Sequence, residues 1–197
     1  MDVSAKYQAS NKTTALRQGE ILTDVIQYKP VADDLKKDNQ ELSFEPIVHP
    51  FAIIVTQDCD LDWDFKDRKA EKSKSAKFLN SILLCEIATA REIRDNGENM
   101  NSGAWKLVVS HRDDRFYFFE TTPSACDSEQ VGLPELTADF KRIFGIDAEI
   151  LYRQIEVGMV KRRSILVSPY LEHFSRRYHS FHERVALPSQ YESERES

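Results

Sequence analysis

The sequence predicts an α+β fold, and three features carry the prediction. Strand-like runs fill the first part of the chain, at Arg17–Ile26, Ile47–Thr56, Phe78–Ala90 and Arg115–Glu120. Clear helical periodicity comes only later, where Leu171, Phe174, Tyr178, Phe181 and Val185 fall on one stripe at spacings of three and four. Strands followed by helices is the α+β order, here a small antiparallel barrel or half-barrel capped by helices. A chain of 197 residues suits one domain with an extension. The expected division is a flexible N-terminus 1–16, a β-barrel domain 17–120, a helical extension 121–188 and a disordered tail 189–197.

Each element has its own signal. Gly19 supplies a turn before Ile21, Leu22, Val25 and Ile26, and polar Lys29–Gln40 then reads as a loop. Ile47–Thr56 is continuous and β-branched, as in a strand buried on both faces, with Pro50 tolerated near its start. Lys66–Lys77 is lysine-rich and reads as a solvated loop or short exposed helix. Alternating Trp105, Leu107 and Val109 and the FYFF run after Arg115 predict a hairpin turning at His111–Asp114. Leu136–Phe144 reads as a short helix, capped by Thr137 and ended by Gly145, with another over Asp147–Val157. The last helix, 168–185, has Ser168 as expected N-cap and Pro169 at its first position, and Pro188 stops it.

Composition excludes several classes. No apolar run nears the roughly 18 residues of a membrane helix, and the polar start lacks the apolar core of a secretory signal. Cys59, Cys85 and Cys126 are too few for a disulfide framework, so free thiols in a reducing cytoplasm are expected. The net charge of −6 argues against a general nucleic-acid binder, but it is unevenly spread. Residues 1–150 carry net −8, residues 151–188 net +4 and the tail net −2. Lys161, Arg162, Arg163, Arg176 and Arg177 can form a basic surface for phosphates or an acidic partner.

No cofactor is expected, because the sequence has no CxxC, HExxH or EF-hand pattern. Asp58, Asp60 and Asp62 are dense enough to be considered for Mg²⁺ or Ca²⁺, yet the Gly and terminal Glu of a Ca²⁺ loop are missing. Capping of backbone amides in a turn after the strand is the favoured reading of Asp58 and Asp60. His173, His179 and His182 lack an acidic or Cys partner nearby in sequence, so a polar helix face is preferred to a metal site.

The order of motifs over residues 17–120 resembles the MazF/PemK toxins, small SH3-like barrels that cleave RNA without metal. Gln18-Gly19-Glu20-Ile21-Leu22 stands where that family has its Gly-Asp-hydrophobic strand. His49-Pro50 leads a β-branched strand ending at Thr56, where the family has Arg-Pro, and SILLCEIATA places Thr89 near the end of a later strand. The resemblance implies a catalytic pair at His49 and Thr89. Histidine suits acid–base work near neutrality but lacks arginine's forked phosphate clamp, which Arg91 or a lysine of 66–77 would have to supply. Two functions follow: a metal-independent endoribonuclease of a prokaryotic toxin–antitoxin or phage-defence system, or a non-catalytic partner-binding subunit on the same barrel. The expected partners are a protein (an antitoxin or a complex subunit), RNA, or a second copy in a homodimer, with no membrane involved.

Overall fold

The computed structural model describes residues 6–34, 42–70, 77–97 and 100–184. The expected tail 189–197, Val185 and the stop at Pro188 lie outside them, as do parts of the N-terminus and of the lysine-rich stretch. In chain order the strands are β1 (Tyr7–Ala9), β2 (Glu20–Pro30), β3 (Phe44–Ile54), β4 (Ser81–Thr89), β5 (Phe116–Phe119), β6 (Leu136–Asp147) and β7 (Lys161–Leu166). The helices are α1 (Asp58–Lys69), α2 (Ala90–Asn96), α3 (Ser102–Val109), α4 (Ala148–Glu156) and α5 (Tyr170–His182). The fold is α+β. The strands form one antiparallel sheet in the order β1-β7-β2-β3-β4-β6-β5, open at β1 and β5. Among the described residues no helix is long and apolar enough to cross a membrane.

Both faces of the sheet are buried. Ala52, Ile53 and Ile54 are all at 0% exposure, which accounts for the unbroken apolar run read in β3. One face gathers Ile21, Ile53, Cys85, Ile87 and Phe140 with Phe174 and Phe181 of α5. The other gathers Leu22, Ala52, Ile54, Ile82 and Leu84 with Leu61 of α1 and Leu151 of α4. The alternation slips at Asp24, whose φ is 63°. Leu22 and Val25 therefore share a face, and His49, opposite Val25, stacks on Phe144 on that same side.

Several elements differ from the sequence reading. Residues 102–109 are helical because Asn101 Oδ1 accepts from the Gly103 and Ala104 N–H groups and nucleates a turn. Trp105 and Val108 then meet Phe118 of β5 from one helix face, so no 104–120 hairpin forms. Leu136–Phe144 is strand, since pairing with β4 and β5 outweighs its helix-like punctuation, and Gly145 sits inside the ladder opposite Leu83. The acidic QDCDLD segment opens α1 instead of a turn, and α1 runs on to Lys69, so the start of the lysine-rich stretch takes the helical of its two expected forms. Asp58 does bind a backbone amide, but that of Gln18 in another segment, together with Nε and Nη2 of Arg17. At α5, Pro169 rather than Ser168 is the N-cap, with no side-chain cap bond. Tyr7–Ala9 is a strand within the expected flexible N-terminus, and residues 121–188 contribute β6 and β7 to the same sheet as β2–β5.

One ion pair fixes β7 to β2. Arg162 is 3% exposed and Glu20 0%. Arg162 Nε donates to Glu20 Oε1 at 2.6 Å and Nη2 to Oε2 at 3.0 Å. The remaining guanidinium donors reach the Thr14 and Ala15 carbonyls, and Glu20 Oε2 also accepts from the Arg17 N–H. A buried pair stripped of one member leaves an uncompensated charge, at a cost of about 3–5 kcal/mol. Arg162→Ala is expected to lose stability in that range by urea unfolding. Replacing both members with apolar residues of similar volume is expected to cost much less.

Candidate functional site

Among the described residues, a cluster of titratable groups lies on the α5 side of β5. Tyr117 comes from β5, His111 from the turn after α3, His173 and Arg177 from α5, and Lys6 and Tyr7 from the chain at β1. β1 and β5 are opposite edges of the sheet, yet the Tyr7 hydroxyl donates to the Glu120 carbonyl at 2.9 Å and Lys6 pairs with the Glu120 carboxylate. The sheet is thus curled until its two edges meet through side chains. A cavity of about 100 Å³ at this meeting is lined by Lys6, Tyr7, His111, Tyr117, Glu120 and Tyr170.

The geometry is tight. The Tyr117 hydroxyl is 3.0 Å from His173 Nδ1. The His111 ring centroid is 4.4 Å from Tyr117 and 5.1 Å from His173. His111 takes a positive φ of 55°, unusual for a non-glycine residue, and its Nδ1 is buried without a hydrogen-bond partner. The Arg177 guanidinium donates to the Asp113 carbonyl, and its Nε has no partner.

Burial and neighbouring cations set the protonation states. Burial, then the positive charges of His173, Arg177 and Lys6, push the His111 imidazole down to about 4, against a smaller opposing effect of Glu120. His173 is lowered by burial and by Arg177 and Arg176. Burial raises the Tyr117 phenol, so it stays protonated. At neutral pH the cluster presents two uncharged imidazoles and a phenol beside Arg177 and the Lys6–Glu120 ion pair, with Arg176 exposed nearby. Such a set can accept a proton and hold an anion.

The catalytic residues implied by the family resemblance are placed elsewhere. His49 is 7% exposed, stacked on Phe144 with ring centroids 3.9 Å apart, and its Nδ1 is 3.6 Å from Glu86 Oε1. Burial lowers its pKa against the pull of Glu86. The Thr89 hydroxyl is engaged in a capping box, donating to Glu92 Oε2 and accepting from the Glu92 N–H at the start of α2. Arg91 is exposed and pairs with Asp95. Among the described residues no hydrogen bond or ion pair joins any two of these three.

Asp58 is committed to Arg17 and Asp62 to Lys66 at 2.5 Å, while Asp60 lies 3.9 Å from the Cys59 thiol. The described residues contain no group of three or more His, Cys, Asp or Glu able to hold a metal ion. The expected basic surface is divided. Lys161 and Arg176 are exposed, but Arg162 is spent on Glu20 and Arg163 on Asp127, where two guanidinium nitrogens bond at 2.8 and 2.7 Å.

His111 and Tyr117 were missed because each was explained locally, as a turn residue and as one ring of an aromatic strand. The available signal was the single hydroxyl in FYFF, directly after a turn opened by histidine. No family model matches the chain, and neither the curated proteins nor the solved structures include a match to it.

The lowered His111 pKa has a definite sign in stability. The unfolded imidazole, near 6.5, gains a proton before the folded one, near 4. This contribution is complete above about pH 6.5 and is lost as the pH falls toward 4. His111→Asn tolerates the positive φ and removes the titration. Its melting temperature is expected to fall less steeply between pH 6.5 and 4 than that of the parent chain.

Proposed function

We propose that the chain is a metal-independent endoribonuclease acting at the His111–Tyr117–His173 cluster. The observation that carries this reading is the meeting of His111 and His173 at the Tyr117 ring and hydroxyl, with Arg176 and Arg177 alongside. When His173 Nδ1–H donates to the Tyr117 oxygen, Nε2 keeps its lone pair and takes the proton of an RNA 2′-hydroxyl. The 2′-oxygen then bonds to phosphorus and the bond to the 5′-oxygen breaks. Solvent protonates the leaving oxygen, and a 2′,3′-cyclic phosphate remains. Arg177, one turn along α5 from His173, is the cation that offsets charge on the phosphorane, while Lys6 is paired with Glu120. This reading moves the chemistry from His49, Thr89 and Arg91, whose polar groups are buried, occupied by a cap or remote from one another.

A role in a prokaryotic toxin–antitoxin or phage-defence system, as in MazF/PemK proteins, rests on the motif resemblance. We read the curled sheet as a half-barrel, supported by the side-chain bridge between Tyr7 and Glu120. One observation favours the alternative of a partner-binding subunit. The β2–β3 hairpin outruns its neighbours, since β7 pairs with β2 only as far as Thr23 and β4 with β3 only from Phe51. Tyr28, Phe44 and Val48 on that arm are 48–57% exposed.

Cleavage of single-stranded RNA in EDTA, with product ends identified, tests the proposal. Cyclic phosphate ends are expected, with a loss of about 100-fold or more in His173→Ala, the range of acid–base contributions. A smaller loss is expected in His111→Asn and none in Arg91→Ala. Full activity in a folded His173→Ala chain would contradict the assignment. A folded chain that cleaves nothing but binds a protein partner through the β2–β3 arm would favour the alternative.

A further inference from the structure

A groove lies on the opposite side of β5, independent of the ribonuclease reading. Phe116 and Phe118 face α3 there, whereas Tyr117 and Phe119 face α5. The groove lies between α2 and strands β4, β6 and β5 and has a volume of about 480 Å³, within the size range of small-molecule sites. A row of alternating charges crosses it. Glu86 Oε2 accepts from Arg142 Nη1 at 3.1 Å, Arg142 Nε lies 3.6 Å from Asp139 Oδ2, and Asp139 takes both Nε and Nη2 of Arg115. Glu92 also lines the groove, with Oε2 held by the Thr89 backbone and hydroxyl.

One buried polar group that lines the groove lacks a partner. Thr137 is 0% exposed, lines the groove, and its hydroxyl bonds to nothing among the described residues. Native interiors rarely leave such groups unsatisfied, and a ligand in the groove would give the Thr137 hydroxyl its partner. Ile93, Met100 and Phe116 add an apolar wall.

The geometry points to this groove as a binding site for a small zwitterion of the α-amino-acid class. Both charge signs stand within one enclosure, so a ligand carrying a carboxylate and an ammonium group meets an opposite charge for each. The exposed guanidinium of Arg142 receives the carboxylate, Glu92 and Glu86 receive the ammonium, and the apolar wall receives the side chain. Three carboxylates against two guanidiniums leave the lining net negative, which favours basic over acidic amino acids and disfavours phosphate esters.

Calorimetric titration of the full chain with L-arginine, L-leucine, L-glutamate and adenosine tests the site. Saturable binding of arginine and leucine is expected, with arginine at least tenfold tighter than glutamate and no heat from adenosine. Thr137→Val, which keeps β-branching, and Arg142→Ala, which changes an exposed side chain, are each expected to weaken arginine binding tenfold or more. No binding of any of the three amino acids, binding of adenosine instead, or arginine affinity unchanged in both variants while the melting temperature is retained would each overturn the proposal.

Discussion

The seating of Phe174 in the curl of the sheet sets the position of everything around it. Its ring centroid lies 5.2 Å from Tyr117, 5.8 Å from Phe119 and 5.9 Å from Phe140. Phe140 in turn touches Tyr178 and Phe181 further along α5. This ridge fixes the register of α5 on β5 and β6. His173, the preceding residue, is thereby held 3.0 Å from the Tyr117 hydroxyl. A slip of α5 by one turn would move it by about 5.4 Å and break that contact. Magnitudes decide which interaction leads. Truncating a buried Phe costs about 3–5 kcal/mol, whereas a hydrogen bond contributes about 1. Packing positions the polar pair, and the pair does little to position the helix.

The same curl explains how residues from distant parts of the chain share one site. β1 and β5 end the strand order, yet the Tyr7–Glu120 bridge brings them together beside α5. β1 reaches that place because it pairs with β7, and β7 is fastened to β2 by the Arg162–Glu20 pair. Charge that looked available for a partner is therefore partly internal. Within the basic segment 151–188, Arg162 and Arg163 hold the sheet and a loop, while Arg176 and Arg177 stand near the histidines.

Legibility in the sequence followed whether a segment's burial is written in its own residues. β3 and β4 are continuous apolar runs, and the α5 stripe at 171, 174, 178 and 181 is unambiguous, so all three were readable. β7 begins Lys-Arg-Arg and was invisible, because its arginines are buried against Glu20 and Asp127, residues far away in sequence. β6 was misread because Thr137 and Gly145 mimic a helix cap and stop, whereas ladders on both sides decide its state. In α3, Trp105, Leu107 and Val109 satisfy a strand period over so short a span that the Asn101 cap tips the balance. The candidate site was the least readable part. His173 was visible as a polar helix residue and His111 as a turn residue, but their meeting depends on a contact between residues 56 apart, Tyr117 and His173.

In the proposed ribonuclease reading, α5 and the curled sheet hold His111 and His173 as an uncharged pair. Titration of the histidine ring resonances by NMR, with and without a 2′-O-methyl oligoribonucleotide that cannot be cleaved, addresses it most directly. His111 is expected to titrate near 4 and His173 below an ordinary histidine, and both rings are expected to shift when the oligonucleotide is added. Ordinary titration of both rings near 6.5, with no response to the oligonucleotide, would contradict that reading.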